Sequence, residues 1–405
     1  MTVRDPYGQP PARSLPYAGG ELLTLLPVMK LKRRQVLLLL SAVSLSACVQ
    51  RARTHAEPAA HAEPLAQATA PARPTAPTID PTRGDVRIVV ISDLNSQYGS
   101  TDYEPEVDRA IELIPDWQPN LVLCGGDMVA GQKSSLTTAQ IQAMWAGFDR
   151  HIASPLRQAG LPFGFTLGNH DASGATTRSG SYLFERDRTI ASAYWRDPRH
   201  NPGLNFVDRA GFPFYYTFEQ DGIFFLVWDA SSARIPTQQL EWVDRSLGSP
   251  AAQAAKLRLV IGHLPLYAVA IGRDAPGEYL NNAEALRSLL ERHQVHTYIC
   301  GHNHAYYPGH VGKLELLYSG LLGSGARALL NGNLPPRKTL TIVDVFLDAA
   351  ETNYTTIDPR TLELIDQQTL PRQIVSSTGR VLRRDVKPED LTAQERSIAM
   401  PSKLL

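Results

Sequence analysis

Phe163-Gly164-Phe165-Thr166-Leu167-Gly168-Asn169-His170-Asp171 is the stretch on which the reading of this chain turns. Phe163 to Thr166 has the length and composition of a buried strand. A glycine follows, and then three polar side chains, each able to bind a metal or handle a proton. The same grammar recurs. Val86 to Ile91, Leu121 to Leu123, Ile223 to Trp228, Leu257 to Ile261 and Thr297 to Cys300 are also short apolar runs, rich in β-branched residues. Between the first two, Val107, Ala110, Ile111 and Ile114 recur at helical spacing, and Ile141, Met144, Trp145, Phe148 and Ile152 do so before Phe163. Such β-α-β-α-β alternation argues for an α/β fold with strands sandwiched by helices. After His304 the pattern turns to strands alone, at Leu314 to Ser319, Thr339 to Leu347 and Tyr354 to Ile357.

Five of these runs end in a polar motif: Asp93-Leu94-Asn95, Gly126-Asp127, Gly168-Asn169-His170-Asp171, Gly262-His263 and Gly301-His302-Asn303-His304. Residues just past the carboxyl ends of strands in an α/β sheet converge on one crevice, so groups distant in sequence become neighbours. Each motif alone is weak. A Gly-Asp pair is usually a turn, and a single histidine is more often a satisfied core residue than a ligand. His302 and His304, two residues apart, can reach two metals or clasp one. The ordered set of five is what carries weight.

That set, in that order, resembles the calcineurin-like metallophosphoesterases over roughly Asp85 to Asp358. The resemblance implies two facing mixed β-sheets flanked by helices, with two divalent metal ions (Mn, Fe or Zn) at one end of the sandwich. Carried over, Asp93, Asn95 and His304 would hold one metal, and Asn169, His263 and His302 the other, with Asp127 bridging both. His170 would face the scissile phosphate and Asp171 would orient it. Asn95 departs from the histidine usual at that place, and its amide oxygen is a harder, weaker donor that leaves the metal's identity open. The chemistry fits a phosphate-ester substrate, monoester or diester. Two cations about 3.5 to 4 Å apart can lower the pKa of a bridging water and clamp phosphoryl oxygens. A carboxylate suits the bridge because its charge offsets cation repulsion. His170 can then protonate the leaving oxygen or stabilise charge on the phosphoryl group. A catalytically reduced phospho-ligand sensor, disabled at Asn95, is the competing expectation.

Composition sets the remaining bounds. Of 405 residues, 43% are apolar, ample for a packed core, and 40 basic residues balance 40 acidic ones, so no global field points to nucleic acid. Only Cys48, Cys124 and Cys300 occur, without a CxxC pair, so metal chemistry must rest on His, Asp and Asn. Lys30, Lys32, Arg33 and Arg34 precede an apolar run from Val36 to Leu45 that ends in Leu45-Ser46-Ala47-Cys48. This is the layout of an export signal, too short for the roughly 20 residues of a membrane span. Leu-Ser-Ala-Cys also resembles a bacterial lipobox, which implies an exported, periplasmic or cell-surface protein lipid-anchored at Cys48.

The expected organisation is therefore an upstream segment over 1–28, a signal over 29–48, an Ala/Pro-rich tether over 49–83, a catalytic domain over 84–375 and a polar tail over 376–405. Between Ala172 and Phe212 no periodicity is evident, and Arg178, Arg186, Arg188, Arg196 and Arg199 with Tyr182, Tyr194 and Trp195 read either as a substrate-contacting lid or as a solvated insertion.

Overall fold

Val86–Ile91 is buried at every position, as a strand covered on both faces must be. In the computed structural model, which describes residues 82–400, it is the first of fourteen strands among the described residues. In chain order these are β1 (Val86–Ile91), β2 (Leu121–Cys124), β3 (Phe163–Phe165), β4 (Asn205–Asp208), β5 (Tyr216–Gln220), β6 (Ile223–Val227), β7 (Leu257–Ile261), β8 (Thr297–Cys300), β9 (Tyr306–Val311), β10 (Leu314–Ser319), β11 (Leu340–Phe346), β12 (Glu351–Ile357), β13 (Gln373–Ser376) and β14 (Gly379–Arg383). They form two mixed sheets. One runs β12-β11-β1-β2-β3 and the other β13-β14-β9-β10-β8-β7-β6-β5-β4. Strands β1 to β3 are mutually parallel, as are β6, β7, β8 and β10, and the flanking strands are antiparallel.

The sheets share one core. Tyr216 of β5 donates its hydroxyl to the Phe165 carbonyl of β3 at 2.5 Å, and the two rings lie 5.7 Å apart. Helices at Pro105–Leu113 and Thr138–Phe148 cover the connections between β1, β2 and β3 as their apolar spacing requires, burying Val107, Ala110 and Ile111 in the first and Ile141, Met144 and Trp145 in the second. The second opens with a capping box in which Thr137 and Gln140 satisfy each other's backbone N–H groups. Cys124 and Cys300 end strands in different sheets and are buried free thiols.

Two expectations fail. The segment between Ala172 and Phe212 is not irregular throughout, because Glu185–Arg196 is a helix with Ile190, Ala191, Tyr194 and Trp195 buried. Its arginines divide: Arg178 and Arg199 are exposed, while Arg188 and Arg196 brace the segment. Arg188 is buried between the Tyr182 and Phe214 rings and bonds Asp229 at 2.7 Å, and Arg196 donates to the Phe212 carbonyl. Trp195 stacks on Phe165 at 3.8 Å in the core. The described part of the supposed tail is likewise ordered: β14 pairs with β13 and β9, burying Val381 and Leu382. The export signal, Cys48 and nearly all of the tether lie outside the described residues.

Candidate metal centre

Four of the candidate ligands, Asp93, Asp127, His302 and His304, have φ between 51° and 65°. This left-handed region is sparsely used by residues with side chains, and holding them there costs of order 1 kcal/mol or more each. Cross-bracing maintains it. The N–H of Asp93 donates to the Gly126 carbonyl, those of Leu94 and Asn95 to the Asp127 carbonyl, and that of Gly301 to the His263 carbonyl. The loop after β1 is thereby tied to that after β2, and the loop after β7 to that after β8. The His302 backbone N–H joins the two pairs by donating to the Asp93 carboxylate, and the His170 backbone N–H draws in the loop after β3 by donating to Asp127 Oδ1. Glycine is required where they touch: a Cβ on Gly168 would run into the Asp127 carboxylate, and one on Gly301 into Ser92 Oγ.

The side chains converge. Ligating atoms of Asp93, Asp127 and His304 all lie within 4.8 Å of one another. His304 Nε2 stands 3.2 Å from Asp93 Oδ1 and is buried without a hydrogen bond among the described residues. Beside this group, Asn169 Oδ1 lies 3.0 Å from both His263 Nε2 and His302 Nδ1, and His263 Nε2 is 3.2 Å from Asp127 Oδ2. Asn95 is buried in the same turn as Asp93. All seven expected ligand residues thus belong to the interlocked loops.

Three imidazoles share one feature. His263 Nδ1 faces the Gly125 carbonyl at 2.8 Å, His304 Nδ1 the Gly325 carbonyl at 3.0 Å, and His302 Nε2 the Glu278 carboxylate at 2.9 Å. A hydrogen bond from the outer nitrogen fixes the tautomer and leaves the inner lone pair turned to the cluster, the arrangement a cation needs. Two carboxylates and an amide oxygen complete a donor set that suits divalent ions, and one of its inner nitrogens, His304 Nε2, is buried without a hydrogen bond among the described residues.

Electrostatics reflect the crowding. Burial would raise the Asp127 carboxyl, but His263 and His170 hold it well below the usual carboxylate range. Burial would lower His263, and the charge and hydrogen bond of Asp127 overcome this to bring it up to about 9. His302 is pushed well below the usual histidine value by burial and the nearby Arg273. His170 is lowered by burial, against the pull of Asp127.

His170 stands at the cluster's edge, with ring Nε2 4.0 Å from Asp127 Oδ2 and its backbone N–H donating to Asp127 Oδ1 at 2.9 Å. The expectation that Asp171 orients its ring is not met. The oxygens of Asp171 accept from the Val129 and Gly168 N–H groups, both at 2.8 Å, so it braces the backbone on either side of the site instead. Burial and the charge of Asp127 push its carboxyl up to about 7. The ring of His170 is bounded by the Gly131 carbonyl, 3.4 Å from Nδ1, and by Tyr98.

Sequence reasoning missed the supports. Gln132 Oε1 accepts from Asn169 Nδ2 at 2.7 Å and so aims the amide oxygen at the two histidines. Glu278 joins His302 to the buried Arg273. None of the three follows a strand directly, so the strand-end rule had no purchase on them.

No curated protein matches the sequence. Among solved structures, a purple acid phosphatase from yellow lupin (Lupinus luteus) seeds is similar at 16% identity and a TM-score of 0.49, covering 69% of this chain. The chain spans about half of that protein, 52% of its length. GAP50, the anchor in the inner membrane complex of Plasmodium, is similar at 14% identity and a TM-score of 0.46, over 71% of this chain and 91% of that one. A family model described as calcineurin-like phosphoesterase matches residues 86–306, a span of more than half the chain that takes in all of the converging loops, and the chain belongs to that family.

Proposed function

We propose that the chain hydrolyses a phosphomonoester or phosphodiester with two divalent cations, one held by Asp93, Asn95, Asp127 and His304, the other by Asp127, Asn169, His263 and His302. The observation that carries this reading is the set of three histidines whose outer nitrogens are tied to oxygens and whose inner nitrogens meet two carboxylates and an amide oxygen. Bound cations would neutralise phosphoryl oxygens and supply a water of lowered pKa. The chain's own groups do the rest. Asp127, with one oxygen toward His263 and the other on the His170 N–H, is shared between the two halves and offsets their charge. His170 is not needed as a ligand, and its Nε2 is free to meet the phosphoryl group or the leaving oxygen. Gln132, Glu278 and Asp171 fix the groups that do the binding.

Asn95 favours a second reading, a sensor that binds a phosphorylated ligand without turning it over, because an amide in place of imidazole weakens the first cation site. Turnover of an aryl phosphate and an aryl phosphodiester, with and without added divalent ions, separates the two. Cation-dependent hydrolysis of either supports the enzyme, and cation-dependent binding without hydrolysis supports the sensor. We further propose export and lipid attachment at Cys48, on the motif Leu45-Ser46-Ala47-Cys48. Mass spectrometry of the mature protein tests this, and an unacylated Cys48 would end it.

A further inference from the structure

Three consecutive residues in the loop after β2 face the candidate site or the ring beside it. The Gly131 carbonyl faces His170 Nδ1 at 3.4 Å, Gln132 accepts from Asn169 at 2.7 Å, and Lys133 carries its ammonium 5.5 Å from the centroid of the Tyr98 ring. Tyr98 in turn sets its ring 5.3 Å from the His170 imidazole, tilted by 56°. His170 Nε2 stands 4.0 Å from Asp127 Oδ2. A file of groups therefore runs outward from the buried carboxylate, through His170 and Tyr98, to a lysine at the surface.

The file is held in place. Asp187 accepts the Gln132 N–H at 2.9 Å, the Gly99 N–H next to Tyr98 donates to the Ala130 carbonyl at 3.0 Å, and a Cβ on Gly131 would press on the His170 carbonyl oxygen at 2.5 Å. Groups ordered before binding forfeit less entropy when a ligand arrives. Yet the outer end of the file meets solvent. Tyr98 is 40% exposed, and Lys133 is exposed with no carboxylate in ion-pair reach among the described residues. A ring beside an uncompensated cation suits a ligand with a planar face and a negative charge. The scissile phosphoryl group belongs with the buried donors, so a lysine two ring contacts farther out meets the other end of the substrate.

We propose that Tyr98 and Lys133 form the leaving-group subsite, and that it takes an ester whose leaving group bears an aromatic ring and a second anionic group. The inference rests on the phosphoesterase reading above. The test measures kcat and KM of the cation-loaded full chain, as wild type, Lys133→Gln and Lys133→Arg, on phenyl phosphate and 4-carboxyphenyl phosphate, or on their methyl diesters if those are what it cleaves. Lys133→Gln should lower the carboxylated-over-plain ratio of kcat/KM by roughly tenfold, the scale of one hydrogen bond to a charged group. The change should fall on KM, be reversed by Lys133→Arg, and shrink in high salt. A tyrosine merely packed on lysine would not make the loss depend on the charge of the substrate. An unchanged ratio in Lys133→Gln, or a loss that Lys133→Arg does not restore, would overturn the inference while leaving the enzyme reading intact. Failure of the wild type to cleave any of these esters would instead remove the phosphoesterase reading, and the subsite with it.

Discussion

His170 and His263 lie within 4.0 Å of the same carboxylate and are driven in opposite directions by it and by burial. His170 keeps the depression that burial imposes, and in the function proposed above it is not a cation ligand. His170→Ala should therefore leave cation content nearly unchanged while lowering kcat by the roughly 10² to 10⁴-fold typical of a lost acid or base. Metal analysis beside turnover checks this. The deficit should be smaller on an ester with a weakly basic aryl oxide than on an alkyl phosphate if the histidine donates a proton, and equal on both if it stabilises phosphoryl charge.

His263 behaves otherwise. Burial notwithstanding, Asp127 raises its pKa to about 9, so it is protonated at neutral pH and would have to lose that proton to serve as the proposed ligand. Cation affinity should rise with pH between about 7 and 9, with proton release visible by calorimetry in buffers of different ionisation heat. Affinity independent of pH and no released proton would contradict the assignment. The stability sign is opposite. A raised histidine pKa stabilises the cation-free protein fully below about 6.5, and that contribution is lost as pH climbs through about 9.

At the level of elements, what could be read in the sequence is what periodicity encodes. Leu257–Ile261, Thr297–Cys300 and Leu314–Ser319 stand in the structure with the bounds expected, because their apolar runs are uninterrupted. The helix Glu185–Arg196 was hidden for a physical reason. Two of its buried positions are Asp187 and Arg188, charges that interrupt the apolar stripe and spend themselves on the Gln132 N–H, Asp229 and the Ala172 carbonyl. Strand β14 was hidden in the same way. Arg383 is buried but bonds Asp385 and the Leu370 carbonyl, and Arg384 reaches Glu315. Pro308 and Gly309 disguise β9, whose Pro308 carbonyl accepts instead from Arg384 N–H. The helix matters to the site because its apolar face anchors the charges on its first turn. Trp195→Ala, which empties the stack on Phe165, should cost about 3 to 5 kcal/mol by denaturant titration. A loss under 1 kcal/mol would mean that the segment does not pack as described.

For the whole molecule, the converging motifs were legible because parallel strands deliver their carboxyl ends to one edge. The supports were not, since Gln132, Arg273 and Glu278 act from loops whose course only the packed chain defines. Two sheets joined through one core bring five loops together, and everything proposed for the chain depends on those loops holding two cations in a state that hydrolyses. The most direct measurement adds Mn²⁺ stepwise to cation-free protein while following hydrolysis of an aryl phosphate and an aryl phosphodiester. No turnover is expected in chelator, and activity on at least one ester should rise to a plateau at two equivalents per chain. Saturation of two sites without hydrolysis of either ester, or turnover that persists in chelator, would contradict this.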